Sequence, residues 1–391
     1  MKKSDTYTIY ACYIGYIVQA IINNLPPLLF LTFEQSLGIS MEKIALLISI
    51  NFGVQIIADF VAARYVDRIG YRVSVVAAHI FSVLGLVSLG VLPGRMDDPY
   101  TGLVLAMVCN AVGGGLIEVL ISPIVEAAPA SGAKEKAMSL LHSFYCWGHV
   151  AVVLLSTFGF WVLGMDSWYY LPLLWSVVPA VNLFLFLRVP IPTLVEEDER
   201  IPARSLFTMS SFWIFVLLMI CAGASEQGMS QWASMFAEKG LQVSKTMGDL
   251  LGPCFFALLM GLSRMYYGKF GEKINLRRFM SGSAVLCALS YLLAVLLQSP
   301  VLALLGCGLC GLSVGIMWPG TFSLAVKDCP QGGTLMFALL ALAGDMGCAA
   351  GPAVVSAVSG MFPAYGMKAG LSAAIIFPLG MVLLLRMKIG K

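Results

Sequence analysis

The chain has 391 residues, 59% of them hydrophobic and 12% charged, with a formal net charge of +3 and a mean hydropathy of +0.88. Soluble domains carry about 25% charged residues, so this composition excludes a water-soluble globule and makes the lipid bilayer the expected solvent. The basic residues are scattered, which excludes a nucleic-acid surface.

About twenty apolar residues cross the hydrocarbon core as a helix. Twelve such runs are expected, at 7–32, 42–62, 73–92, 100–125, 137–164, 168–188, 207–233, 248–270, 278–298, 300–325, 332–359 and 363–386. The fold class is an all-α membrane protein with twelve transmembrane helices. The amino terminus, MKKSDTYTIYACYIGYIVQ, lacks the short core and small-residue cleavage site of a signal peptide and reads as an uncleaved first helix. That helix carries Gln19 and Asn23 at i, i+4, with Asn24 beside them.

The second run holds Asp59 near its end, followed by the loop ARYVDRIGYR with Asp67, Arg68 and Arg72. Run four reads CNAVGGGLIEVLISPIVEAA and places Asn110 and Glu118 in lipid. An uncompensated acid there costs a few kcal/mol, and intramembrane acids mark functional sites by default. The alternative is a protonated acid that only packs two helices. Run five places His142, Tyr145 and His149 at i, i+3, i+7, on one face.

A polar segment, VPIPTLVEEDERIPARS, separates runs six and seven. The domain division follows: an N-terminal bundle at 1–188, a cytosolic linker at 189–205 and a C-terminal bundle at 206–391. Run seven, CAGASEQGMSQWASMF, offers Glu226, Gln227, Gln231 and Trp232. Amides, carboxylates and an aromatic plane suit a polyhydroxylated ligand; an interfacial anchor is the other reading of Trp232. Arg264 lies inside run eight, Trp318 precedes Pro319 in run ten, and Asp345 sits in the apolar run eleven. The ten cysteines fall almost entirely within apolar runs, and CGLC has no second pair to complete a metal site. No cofactor or metal is expected.

With both termini cytoplasmic, eighteen of the 24 Lys and Arg fall on the cytoplasmic side, five on the other, and Arg264 within a span. That is the positive-inside bias. A weak repeat links the halves: GLIEVLISP (115–123) matches GLSVGIMWP (311–319), and ARYVDRIGYR (63–72) matches GKFGEKINLR (268–277). Two six-helix bundles related by a repeat are the plan of many secondary transporters, with substrate bound near midplane between the halves.

The loop ARYVDRIGYR resembles the G-x-x-x-D-R-x-G-R-R signature of the major facilitator superfamily, with Asp67, Arg68, Gly70 and Arg72 matching and Ala63 and Tyr71 departing. Within it the chain is similar to the fucose:proton symporter group, whose helix 4 pattern G-x-G-x-x-E-T-x-x-N-P reads here Gly113, Gly115, Glu118, Val119, Ser122 and Pro123. His142 stands where that group has Gln, and QAIINNLPP has no acid where that group has one on helix 1.

The resemblance implies two pseudo-symmetric bundles and a secondary active transporter, not an enzyme. It would import a sugar or similar small polar solute with protons, as a monomer in the cytoplasmic membrane. A drug or metabolite exporter and a sodium-coupled symporter are the alternatives. The expected substrate set is Gln19, Asn23, Asn24, Asn110, Glu118, His142, Tyr145, Glu226, Gln227, Gln231, Trp232 and Trp318. Protons would be carried by Glu118, Glu226 and Asp345. Asp59, Asp67, Arg68, Arg72 and Arg264 would hold gates, since charged pairs at helix ends can break when a carrier switches.

Overall fold

The computed structural model describes residues 3–127, 134–191, 203–297, 299–329 and 333–387. Most of the expected linker, 192–202, lies outside them. All twelve expected crossings are helical: Thr6–Leu37 (span 1), Met41–Val66 (2), Tyr71–Val91 (3), Pro99–Val125 (4), Leu140–Leu163 (5), Tyr170–Arg188 (6), Ser210–Gly240 (7), Lys245–Phe270 (8), Leu276–Leu296 (9), Pro300–Asp328 (10), Ala338–Met361 (11) and Met367–Arg386 (12). The described residues contain no strand. Contacts divide the chain into two compact units, Met1–Val195 and Glu196–Lys391.

Lipid removes the hydrophobic incentive for helices to associate, so small residues that permit close backbone approach take its place. In the first unit, a Cβ at Gly148 of span 5 would sit 3.0 Å from the Ile17 Cα of span 1. In the second unit, a Cβ at Gly347 of span 11 would sit 2.9 Å from the Ala224 backbone nitrogen of span 7. Spans 1 and 5 thus pack as their repeat partners 7 and 11 do. Large apolar side chains such as Phe158, Trp161, Leu289 and Leu296 remain on the outer surfaces, as a lipid-facing helix requires.

Proline fixes where three spans break. Having no N–H, it removes the bond to the carbonyl four residues back. Span 6 is interrupted at Ser176, ahead of Pro179, and span 12 at Ile375, ahead of Pro378. Span 10 is interrupted at Gly315 and Ile316, ahead of Pro319. Span 7 breaks at Gln231 and Trp232 without a proline.

The signature loop is a tight helix–helix turn. Gly70 has φ +96°, a conformation that favours glycine, and its N–H closes on Val66 O at 2.7 Å. Arg72 then reaches the end of span 6. Its Nη1 donates to Phe186 O at 2.8 Å and Leu187 O at 3.1 Å, and its Nη2 donates to Val189 O at 2.8 Å. Arg277 repeats this at the end of span 12, donating to Leu385 O at 2.6 Å and to Met387 O. The gate expected of Arg72 is corrected: its guanidinium caps carbonyls that a helix C-terminus leaves unpaired.

Candidate functional site

In the first unit, polar side chains from spans 1, 2, 4 and 5 meet in the apolar interior. Gln19 Nε2 donates to Glu118 Oε2 at 2.5 Å. One turn away, the Tyr16 and Ser122 hydroxyls are 2.8 Å apart, and the Tyr16 ring meets His142 edge-on at 5.1 Å between centroids. Asn24 Nδ2 donates to the Tyr145 hydroxyl at 3.2 Å. Asn23 Oδ1 accepts from Gln55 Nε2 at 3.0 Å and from Asn51 Nδ2 at 3.4 Å. Glu118 and His142 are only partly buried, whereas Gln19, Asn23, Asn24 and Tyr145 are buried. The cluster therefore combines one acid, one imidazole, amides and hydroxyls, which suits directional hydrogen bonding to a polar solute.

Asn110 does not join it. It packs against span 3 at Gly85, where a Cβ would lie 2.6 Å from the Asn110 backbone nitrogen. Neither atom of its amide has a hydrogen-bond partner among the described residues. Eight residues along a helix amount to about 80° of rotation, enough to turn Asn110 away from Glu118 and onto a neighbouring helix. His149 is buried as well, one residue from the close contact at Gly148.

In the second unit, Glu226, Gln227 and Gln231 form a chain on span 7. Gln231 Nε2 donates to Gln227 Oε1 at 2.8 Å, and Gln227 Nε2 donates to Glu226 Oε1 at 3.3 Å. Arg264 Nη2 lies 3.4 Å from Glu226 Oε2, and its Nε donates to Gly315 O at the break of span 10. Two expectations change here. Glu226 is charge-balanced by a guanidinium, an arrangement that needs no proton. Arg264 braces spans 7, 8 and 10 from inside the unit rather than holding a helix-end gate. Asp59 is likewise interior, against Gly115 of span 4.

Trp232 is fully buried and its indole N–H donates to Pro352 O of span 11 at 3.2 Å, so it is no interfacial anchor. Trp318 lays its ring on Gly344 of span 11, next to the buried Asp345. Arg68 is exposed in the last turn of its helix, and the Asp67 side chain lies outside the described residues.

Three polar groups were not anticipated. Lys245 Nζ lies 3.1 Å from Glu238 Oε1 and 3.0 Å from Asp249 Oδ2, while Ser234 Oγ donates to Asp249 Oδ1 at 2.5 Å. These side chains sit where the sequence suggests only a charged hairpin. His79 pairs with Asn182 Nδ2 at 2.8 Å, and Asn182 also donates to Ala11 O at 3.0 Å; one isolated histidine per apolar run gave no signal. The row Asn51, Gln55, Asp59 at i, i+4, i+8 was legible as a helix face, but its two amides look ordinary beside the acid. Among the described residues, no group of three or more His, Cys, Asp and Glu side chains converges.

The model of the Major Facilitator Superfamily matches residues 12–352. The fold resembles the crystal structure of the E. coli fucose:proton symporter FucP, at TM-score 0.70 and 15% identity, covering 98% of this chain and 99% of that one. It also resembles a bacterial homologue of the human lysosomal transporter Spinster, at TM-score 0.75 and 14% identity, covering 98% of this chain and 97% of that one. No curated protein sequence matches the chain. Fold and polar interior define the class: a membrane transporter, not an enzyme. The chain belongs to the Major Facilitator Superfamily.

Proposed function

We propose that this transporter carries a small polar solute, most simply a sugar, into the cell together with protons, by alternating access. It sits in the cytoplasmic membrane with both termini in the cytoplasm. The contact between Gln19 and Glu118 carries the reading. A carboxylate accepts the amide N–H; once protonated it becomes a donor, and the same amide can turn its oxygen to accept. Span 1 and span 4 thus exchange one hydrogen bond for another when the acid changes charge, which ties a proton to a local rearrangement.

Tyr16, Ser122 and His142 surround that acid with groups able to hold hydroxyls. The chain Gln231–Gln227–Glu226 offers the second unit's polar surface. Coupling is assigned to Glu118 rather than Glu226, because Arg264 already balances the latter. The name of one structural neighbour, a fucose:proton symporter, supports a sugar and a proton as the carried pair, and the lysine and arginine asymmetry supports the orientation.

The test is solute-induced proton movement in proteoliposomes holding a pH dye. Adding a transported sugar outside, at zero potential, should alkalinise the external medium in proportion to sugar entry. Sugar entry with no pH change would overturn proton coupling; binding of no sugar, in a screen that finds an apolar drug instead, would overturn the substrate class.

A further inference from the structure

We propose that span 2 carries a sodium site within the first unit, formed by the side-chain oxygens of Asn51 and Gln55 and the carboxylate of Asp59. The argument begins with amide orientation. Asn23 Oδ1 on span 1 takes the N–H of both Asn51 and Gln55, at 3.4 and 3.0 Å. Their donors are therefore fixed towards span 1, and their carbonyl oxygens are left over. Asn51 Oδ1 and Gln55 Oε1 are both buried and have no hydrogen-bond partner, while their residues are 3% and 0% exposed. Buried acceptors are satisfied in the great majority of cases, so two side by side require an occupant.

Asp59 follows one turn later on the same face. Span 4 keeps this face clear by having glycines there. A Cβ at Gly115 would lie 2.8 Å from Asp59 Oδ1, and one at Gly114 would lie 3.7 Å from Gln55 Oε1. Larger side chains would fill that space.

The donor set selects the ligand. Amide and carboxylate oxygens are hard ligands, suited to hard cations. One carboxylate among neutral amides balances a single positive charge, and an unbalanced second charge in a buried site is heavily penalised. A proton on Asp59 supplies one O–H, too few donors for two amide oxygens. A small monovalent ion engages all three groups at once. Glu118 is not among these ligands, so the inference does not depend on proton coupling there.

The test uses the purified full-length protein in detergent. Its melting temperature is followed as sodium replaces choline at constant ionic strength, with potassium in parallel, and 22Na+ binding is measured directly. A saturable, sodium-selective rise is expected, with about one ion bound per chain. Gln55→Leu and Asp59→Asn should each raise the half-saturating sodium concentration by at least about tenfold, and Glu118→Gln should leave it unchanged. Identical melting in sodium and choline would overturn the proposal, and would assign the two oxygens to a bridging water. A sodium response that survives both span 2 variants, or that vanishes in Glu118→Gln, would overturn it too. If either variant fails to fold, the wild-type ion series still decides. The solute-induced pH change tests Glu118 separately, so either reading can fail alone.

Discussion

The Gln19 amide and the Glu118 carboxylate are 99 residues apart in the chain and 2.5 Å apart in the fold. Each was legible as a polar residue in an apolar run, because the bilayer penalises such groups unless they have work or partners. Their pairing was not legible, since helix periodicity gives faces and not neighbours. The same limit explains Asn110, whose face turns towards Gly85, and Glu226, whose balancing charge comes from another span. If His142 and Gln227 each contribute a solute hydrogen bond, net about 1–2 kcal/mol, then His142→Ala and Gln227→Ala should weaken solute binding roughly 5- to 30-fold by calorimetry. Asn110→Ala should change affinity by less than about twofold, because the residue packs on span 3. A large affinity loss there would restore it to the solute site.

At the scale of elements, positions were read well and interruptions poorly. Every expected run became a crossing, because length and apolarity are dictated by the bilayer. Prolines were visible, yet Pro123 and Pro352 stay inside continuous helices while Pro179, Pro319 and Pro378 are preceded by breaks. Packing against neighbours decides which carbonyls are satisfied again, and sequence does not supply it. Arg72 shows the same difference: its motif was recognised, its partners on span 6 were not. A guanidinium on three terminal carbonyls should stabilise that unit by about 1–2 kcal/mol. Arg72→Ala should therefore lower the melting temperature, and Arg72→Lys should recover only part of it, since lysine lacks the planar fork. Full recovery by lysine would mean that charge alone matters.

For the whole molecule, the asymmetry of basic residues predicts which loops face the cytoplasm. Asp98 accepts from the backbone N–H groups of Tyr100 and Thr101, and the Thr101 hydroxyl holds its carboxyl below the usual range. The neighbouring exposed Asp97 is the better reporter. In a chain whose ten cysteines have been replaced, Asp97→Cys should react with an impermeant maleimide from outside the cell and Glu197→Cys should not; the reverse pattern would invert the topology.

The central claim is that protonation of Glu118 links solute binding to the proton gradient, and one comparison addresses it directly. Wild-type and Glu118→Gln proteins, in the same proteoliposomes, are assayed for accumulation driven by a pH gradient and for exchange of labelled against unlabelled solute. The amide mimics the protonated acid, so the variant should lose accumulation and keep exchange. Accumulation at the wild-type level in Glu118→Gln would contradict the account and leave the acid as a packing residue.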